Sequence, residues 1–125
     1  MKMWLLIGAI NGFLAVGFGA FGAHGLEGKV ADKDFAAFQT GAHYHLIHAL
    51  ALVGVAIIAH ITQSGTANIA GWAFLVGIVL FSGSLYVLGI TGSRALVIAT
   101  PLGGISFLIG WAALAGVALN YSSQN

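Results

Sequence analysis

The stretch FAAFQTGAHYHLIHALALVGVAIIAHITQSGTANIAGWAFLVGIVLFSGSLYVLGITGS, residues 35–93, contains no Asp, Glu, Lys or Arg. A second charge-free stretch runs from residue 95 to residue 125. Soluble proteins cover their cores with charged surfaces, whereas the hydrocarbon of a bilayer makes every charged side chain in a spanning segment costly. The sequence therefore predicts an integral membrane protein.

The composition supports this interpretation. The chain of 125 residues is 59% hydrophobic and 6% charged, with 19 Gly, one Pro, no Cys and a net charge of +1. Such a composition is typical of membrane helices, and the near-neutral charge argues against a nucleic-acid partner. The absence of Cys excludes disulfides and thiolate metal sites. We expect a single membrane domain over residues 1–125.

Four stretches are apolar over the roughly 20 residues that a spanning helix needs. The polar sequence TQSGT at 62–66 divides the long charge-free region, and Pro101 marks the first turn of the last helix, since Pro is costly inside one. The predicted spans are residues 3–23, 41–61, 69–90 and 101–120. The fold class is thus all-α integral membrane, an antiparallel bundle of four transmembrane helices. The first apolar run is longer than that of a usual signal peptide, so we expect it to be retained.

Two polar residues are candidate helix N-caps. Thr100 directly precedes the last predicted span, so residues 95–99 would form an apolar connector. Asp32 lies where a helix would begin in the membrane interface and continue into the second span. That start would place Phe35 and Phe38 on the membrane surface.

The basic residues predict an orientation. Lys29, Lys33 and Arg94 lie on one side of the predicted bundle, and Lys2 lies on the other side with both termini. Because Lys and Arg favour the cytoplasmic side, loop 24–40 is predicted to be cytoplasmic and both termini external.

Small side chains recur every three or four residues in two predicted helices. They are Gly8, Gly12, Ala15, Gly19 and Ala23 in the first helix, and Gly103, Ser106, Gly110 and Ala113 in the fourth. In lipid, helices associate through close backbone approach and interhelical hydrogen bonds. The stripes predict tight packing and self-association into a homo-oligomer.

Several short motifs carry a resemblance to a known family. They are GAFGAH at 19–24, FQTG at 38–41 followed by Tyr44 and HALAL at 48–52, SGSLY at 82–86, and TPLGG at 100–104 followed by Phe107, Gly110 and Trp111. Over nearly its whole length the chain resembles domain-of-unknown-function family 423, the YgdD-type small four-helix inner-membrane proteins, which are related to a eukaryotic mitochondrial transmembrane protein. The resemblance implies four spans, a location in the cell (inner) membrane and no established activity. It matches at His24, Tyr44, His48, Tyr86 and Pro101, whereas His43 and His45 stand where the family more often has Gln, Arg or similar residues.

Alternating the four helices through the bilayer brings polar residues toward one membrane face. The group comprises His24, Tyr44, His48, Ser82, Ser84, Tyr86, Arg94 and Thr100. Four interpretations remain open for it. The groups hydrogen-bond one another to hold the helix ends, they bind a ligand, they conduct protons or ions through His24 and His48, or they bind a metal through His24, His45 and His48.

The ligand site is the leading functional hypothesis. Pro101 leaves the amides at the start of the fourth helix free, and the helix dipole there favours an anion beside Arg94. The candidate ligand-binding residues are Arg94, Thr100, Leu102, Gly103, Gly104, His24, Tyr44, His48 and Tyr86. The candidate ligands are an anionic lipid or a small carboxylate. A permeation or proton pathway through the bundle is the alternative.

The sequence indicates no enzyme class. It has no phosphate-binding Gly loop before a Lys and no paired carboxylates within a predicted span. We therefore predict a non-enzymatic membrane protein without catalytic residues, metal ligands or cofactor. Its expected partners are the lipid bilayer and further copies of itself.

Overall fold

The computed structural model describes residues 2–122, which form four antiparallel helices. Helix α1 is Lys2–Leu26, α2 is Asp32–Thr62, α3 is Gly65–Thr91 and α4 is Ala99–Ser122. All four are long and apolar enough to cross a membrane. The predicted fold class is confirmed.

Helix α2 is longer than a membrane requires. Its 31 residues extend for about 46 Å, whereas the hydrocarbon core is about 30 Å thick. The sequence had suggested Asp32 as the N-cap, but Asp32 is the first helical residue. Ala31 holds the N-cap position without a side-chain hydrogen bond. Asp32 and Asp34 in the first turn instead stabilise the helix start through the helix dipole.

The expectation that Phe38 lies on the membrane surface is wrong. Its side chain is fully buried, and its ring lies 4.9 Å from that of Tyr86 in α3. Glycines on both neighbouring helices make room for it: a Cβ at Gly22 would lie 2.8 Å from the ring, and one at Gly89 would lie 2.5 Å from the Phe38 Cβ. Phe35 packs against the same cluster and is partly buried.

Helix α4 begins two residues before Pro101. The amides of Ala99 and Thr100 donate to the carbonyls of Leu96 and Val97, at 2.9 and 3.3 Å. Because these turns lead directly into the helix, Thr100 is not the predicted N-cap and the connector ends at residue 98. The Thr100 hydroxyl pairs instead with that of Ser84 in α3.

Two segments are π-helical: the last turn of α1, Gly22–Leu26, and the middle of α3, Ile78–Ser82. A π turn adds a residue to the local repeat and so changes which side chains face a neighbour. In α3, Phe74 lies in the core before the π segment. After it, Tyr86 reaches α2.

The small-residue stripe of α4 contacts α3 closely. A Cβ at Gly103 would lie 2.7 Å from the Cβ of Phe81. One helical turn on, the Ser106 hydroxyl donates to the carbonyl of Ala73 at 2.6 Å. This stripe therefore packs as predicted.

The stripe of α1 contacts α2 only in part. At Gly8, a Cβ would lie 2.8 Å from Cγ2 of Val53. At Gly12 it would meet only the Cβ of Ala49 at 4.0 Å, and at Gly19 it would meet nothing within 4 Å. The two helices are therefore in closest contact at Gly8 and again at Gly22 next to the loop, and Gly12 is not the tight contact that the sequence suggested.

Candidate functional site

A chain of hydrogen bonds joins α1, α2 and α3 through His45. Its Nδ1 lies 2.7 Å from the hydroxyl oxygen of Tyr86, and its Nε2 lies 2.9 Å from Oδ1 of Asn11. Asn11 Nδ2 in turn donates to the carbonyl of Ile7 at 2.9 Å. His45 is buried, with 3% of its surface exposed.

In this series of hydrogen bonds, each bond determines which atom donates and which accepts in the next one. Because Asn11 Nδ2 donates to a carbonyl, the Asn11 oxygen faces His45 and accepts. His45 therefore carries its proton on Nε2, and its Nδ1 accepts from the Tyr86 hydroxyl. One neutral tautomer of His45 satisfies both of its partners.

His48 links α2 to α4 in a similar way. Its Nδ1 donates to the carbonyl of Tyr44 at 2.7 Å, and its Nε2 accepts from the indole N–H of Trp111 at 3.1 Å. The imidazole is stacked on the ring of Phe107 with centroids 3.6 Å apart. These contacts fix the second histidine as a neutral Nδ1–H tautomer.

Both histidines lie near the middle of the bundle. His48 is close to the centre of the 31-residue α2, and its partner Trp111 is close to the centre of the 24-residue α4. Asn11 is central in the 20-residue segment Lys2–Phe21. These three residues thus lie near the middle of their helices, and His48 is further from the helix end than predicted because α2 begins well before the predicted span.

The buried polar groups tie the helices together. Within residues 2–122, every buried side-chain nitrogen or oxygen has a hydrogen-bond partner. The network ends on the helix carbonyl of Ile7, which accepts a hydrogen bond from Asn11 Nδ2. The same part of the protein contains no group of three or more side chains arranged to hold a metal ion.

The structure does not bring the predicted ligand-binding residues together. His24 and Arg94 are exposed at the loop end, whereas His48 and Tyr86 are buried in the bundle. The guanidinium of Arg94 makes no hydrogen bond or ion pair with the residues described. Thr100 bonds to α3.

The amides proposed for an anion are also engaged. Since α4 begins at Ala99, the amides of Gly103 and Gly104 fall within the i→i−4 ladder of the helix. Gly103 is packed under Phe81, and Leu102 is 53% exposed. These amides are therefore bonded within the helix, and Arg94 lies exposed in the connector that precedes it.

A different set of polar side chains faces outward from α2. Gln39 and His43 are one helical turn apart and exposed, and neither side chain makes a hydrogen bond within residues 2–122. The ring of Tyr44 is 41% exposed beside them. The spanning helix thus carries polar groups on its outer face without hydrogen-bond partners in the described chain.

Gln39 and His43 border a groove of about 540 Å³ between α1 and α2. The α1 wall consists of small or short side chains, Ala15, Val16, Gly19 and Ala20, and the α2 wall adds Phe38, Ala42 and Leu46. The contact of Gly22 with Phe38 closes the groove toward the loop.

The depth of these side chains follows from the helix geometry. Asp34 is level with the end of α3, since its carboxylate lies 3.5 Å from the Cβ position of Gly92. Gln39 and His43 are about 7 and 13 Å further along α2. The interfacial layer is about 5–7 Å thick on each side of the hydrocarbon. Gln39 therefore lies near the boundary between this layer and the hydrocarbon, and His43 lies inside the hydrocarbon.

Sequence reasoning missed both sets. Asn11 is three residues after Gly8 and four before Ala15, so helical spacing already placed it on the face toward α2. His43 and His45 are two residues apart and thus on nearly opposite faces, which predicts that one faces the core and the other faces outward. Only the three-dimensional contact between α1 and α2 shows that His45 is the inner one.

Comparison with known proteins gives a consistent result. The profile of a family described as "Protein of unknown function (DUF423)" matches residues 18–104. The chain is 50% identical to the UPF0382 membrane protein YwdK of Bacillus subtilis, over 97% of this chain and 99% of that protein. It is 45% identical to the UPF0382 membrane protein SERP0230 of Staphylococcus epidermidis, over 98% and 99%. No solved structure matches.

Proposed function

Because this chain belongs to the DUF423 family of membrane proteins, whose description assigns no activity, we propose a function from its geometry: it binds a phospholipid in the groove between α1 and α2. One observation carries the proposal. Gln39 and His43 present polar atoms to the lipid from a spanning helix, and no group in residues 2–122 forms a hydrogen bond with either side chain.

An unpaired polar group in hydrocarbon costs several kcal/mol, so side chains at this depth need a partner. The Gln39 amide and the His43 ring supply hydrogen-bond donors. The ester and phosphate oxygens of a phospholipid are acceptors, and they lie at the boundary where Gln39 is found. The chemistry on the two sides is therefore complementary.

The small side chains opposite these donors leave room for a lipid molecule between the two helices. Gly19 has open space where a Cβ would be, and Ala15 and Ala20 contribute only short side chains to the α1 side of the groove. A molecule can therefore enter between the helices and reach the donors from the side. The proposed site replaces the one predicted at Arg94 but keeps the ligand class, a lipid with an anionic headgroup among its candidates.

The permeation pathway suggested as an alternative has less support. The polar groups in the middle of the bundle are all paired, and their chain ends on a helix carbonyl. Aromatic rings fill the space around them, with Phe74 and Phe107 buried beside His48. A continuous hydrated path would need these contacts to open.

The remaining parts of the proposal follow the sequence-based expectations. We place the protein in the cell (inner) membrane, assign it no enzymatic activity, and retain self-association through the exposed small residues of α1. Ala23, the last residue of the predicted stripe, is on the outer surface of α1, where a second copy would contact it.

Native mass spectrometry tests the lipid site. The full-length protein is purified in detergent and titrated with dioleoyl phosphatidylglycerol. Replacing both donors, Gln39→Leu and His43→Leu, should weaken lipid retention about tenfold, because two membrane hydrogen bonds of about 0.6 kcal/mol each amount to nearly that ratio. His60→Leu is the matched control, since His60 is an exposed histidine near the other end of α2. Equal retention by the double variant and the control would overturn the proposal.

A further inference from the structure

We infer that the groove also selects the hydrocarbon part of its ligand: one acyl chain lies along the seam between α1 and α2, from His43 toward Gly8. This inference rests on the proposed lipid site and adds the direction and seat of the chain. The observation behind it is a second hollow that continues the first one along the same two helices.

The second hollow has a volume of about 370 Å³ and only apolar lining. It is lined by Gly8, Ala9, Gly12, Leu46, Ala49, Leu50 and Val53. Leu46 borders both hollows. The seam is thus polar near the loop end and apolar from Leu46 onward.

Close helix contacts define both ends of this seam. Toward the loop, Phe38 closes it against Gly22. Toward the N-terminus, Gly8 meets Val53, where a Cβ would lie 2.8 Å from Cγ2 and 2.9 Å from the backbone nitrogen. The seam is therefore a slot of limited length, and an extended chain inside it would end at Gly8.

Gly12 is the position at which the slot is open. An added Cβ would find only the Cβ of Ala49, at the ordinary contact distance of 4.0 Å. No described side chain fills this space, although the position lies between two helices. A methylene chain is thin enough to contact Gly12 and Ala49 together, and such contacts supply the packing that holds molecules together in lipid.

The polarity of the seam selects a lipid over a second copy of the protein. Its donors are near the membrane boundary and its apolar part points to the bilayer centre, which is the order in which a phospholipid presents headgroup and chain. A second helix laid along the seam would have to offer acceptors at one end only. The amphipathic gradient therefore matches a lipid aligned with the bilayer normal.

Gly12→Leu tests the inference by filling the slot. Full-length protein is titrated by native mass spectrometry with dilauroyl and dioleoyl phosphatidylglycerol. We expect the wild type to favour the longer lipid, and Gly12→Leu to weaken its retention about fivefold while the shorter lipid changes less, since only packing contacts are lost. Gly12→Ala should show a smaller change in the same direction.

Gly17→Leu is the control, because Gly17 is on another face of α1 with open space around it. If Gly12→Leu and Gly17→Leu bind both lipids like the wild type while the Gln39 and His43 variant loses them, the chain seat is wrong and the lipid site stands. If Gly12→Leu abolishes a dimer and leaves lipid retention unchanged, a second copy covers the seam and the inference is overturned. If none of the variants changes retention, the proposed function itself fails.

Discussion

The fixed tautomer of His45 predicts that two substitutions on either side of the ring differ in cost. Tyr86→Phe removes the hydroxyl donor but keeps the ring, which is stacked 4.4 Å from that of Phe18. The bond from His45 Nε2 to Asn11 remains, so only the Nδ1 lone pair loses its partner. We expect the free energy of unfolding to fall by about 1 kcal/mol, since interhelical hydrogen bonds in membrane proteins average about 0.6 and reach about 1.7 kcal/mol.

Asn11→Leu removes the acceptor at the other side of His45. Whichever ring nitrogen then carries the imidazole proton, one donor has no partner: the Nε2–H if the tautomer is kept, or the Tyr86 hydroxyl if the proton moves to Nδ1. In the double variant no tautomer pairs the N–H, so a donor and an acceptor are both buried without partners. An unpaired buried donor costs about 1–3 kcal/mol. Asn11→Leu should therefore cost more than Tyr86→Phe, and the double variant should lose about the sum of the two single losses.

Unfolding by dodecyl sulfate in mixed micelles would measure the four free energies of this cycle. Tyr121→Phe is the control for the loss of a hydroxyl, because Tyr121 is 43% exposed at the end of α4. A loss for Tyr86→Phe that equals or exceeds the loss for Asn11→Leu would refute the assignment of the His45 proton to Nε2.

Three further outcomes are expected. Gly8→Leu should lower the free energy of unfolding by about 1–3 kcal/mol through overpacking, whereas Gly12→Leu should change it little, and equal losses in the same titration would contradict the α1–α2 geometry. Trp111→Phe should cost about 1 kcal/mol because it leaves the Nε2 lone pair of His48 unpaired. Trp72→Phe is its control, since Trp72 is 53% exposed, and similar losses would show that the indole bond contributes nothing. A reporter fused to the C-terminus should be active only outside the cytoplasm, and cytoplasmic activity would reverse the predicted orientation.

The sequence predicts the helix count well because hydrocarbon imposes a constraint along one dimension. A charge-free run of sufficient length has few alternatives to a spanning helix, and the polar turn at 62–66 divides the long run where α2 ends and α3 begins. The signal at Pro101 is equally local, and the structure places it in the first turn of α4.

Depth and partners were harder to predict because they depend on contacts between helices. Counting the second span from residue 41 put His48 near a membrane face, although Asp32 already suggested an earlier helix start. Arg94 attracted the ligand hypothesis as the one charge beside the fourth span, but the hydrogen bonds at the start of α4 engage the neighbouring amides. Neither error is visible in spacing alone.

The bond between His45 and Tyr86 also bears on the order of membrane insertion. Domains form from the N-terminus during synthesis, so α1 and α2 enter the bilayer before α3 is available. At that stage His45 can reach Asn11, but its Nδ1 has no donor. If α3 packs one turn out of register, the Nδ1 lone pair has no hydrogen-bond donor, whereas the correct register supplies the Tyr86 hydroxyl. The hydrogen bond from Tyr86 to His45 therefore favours the correct register of α3 against the pair of helices, α1 and α2, that is inserted before it.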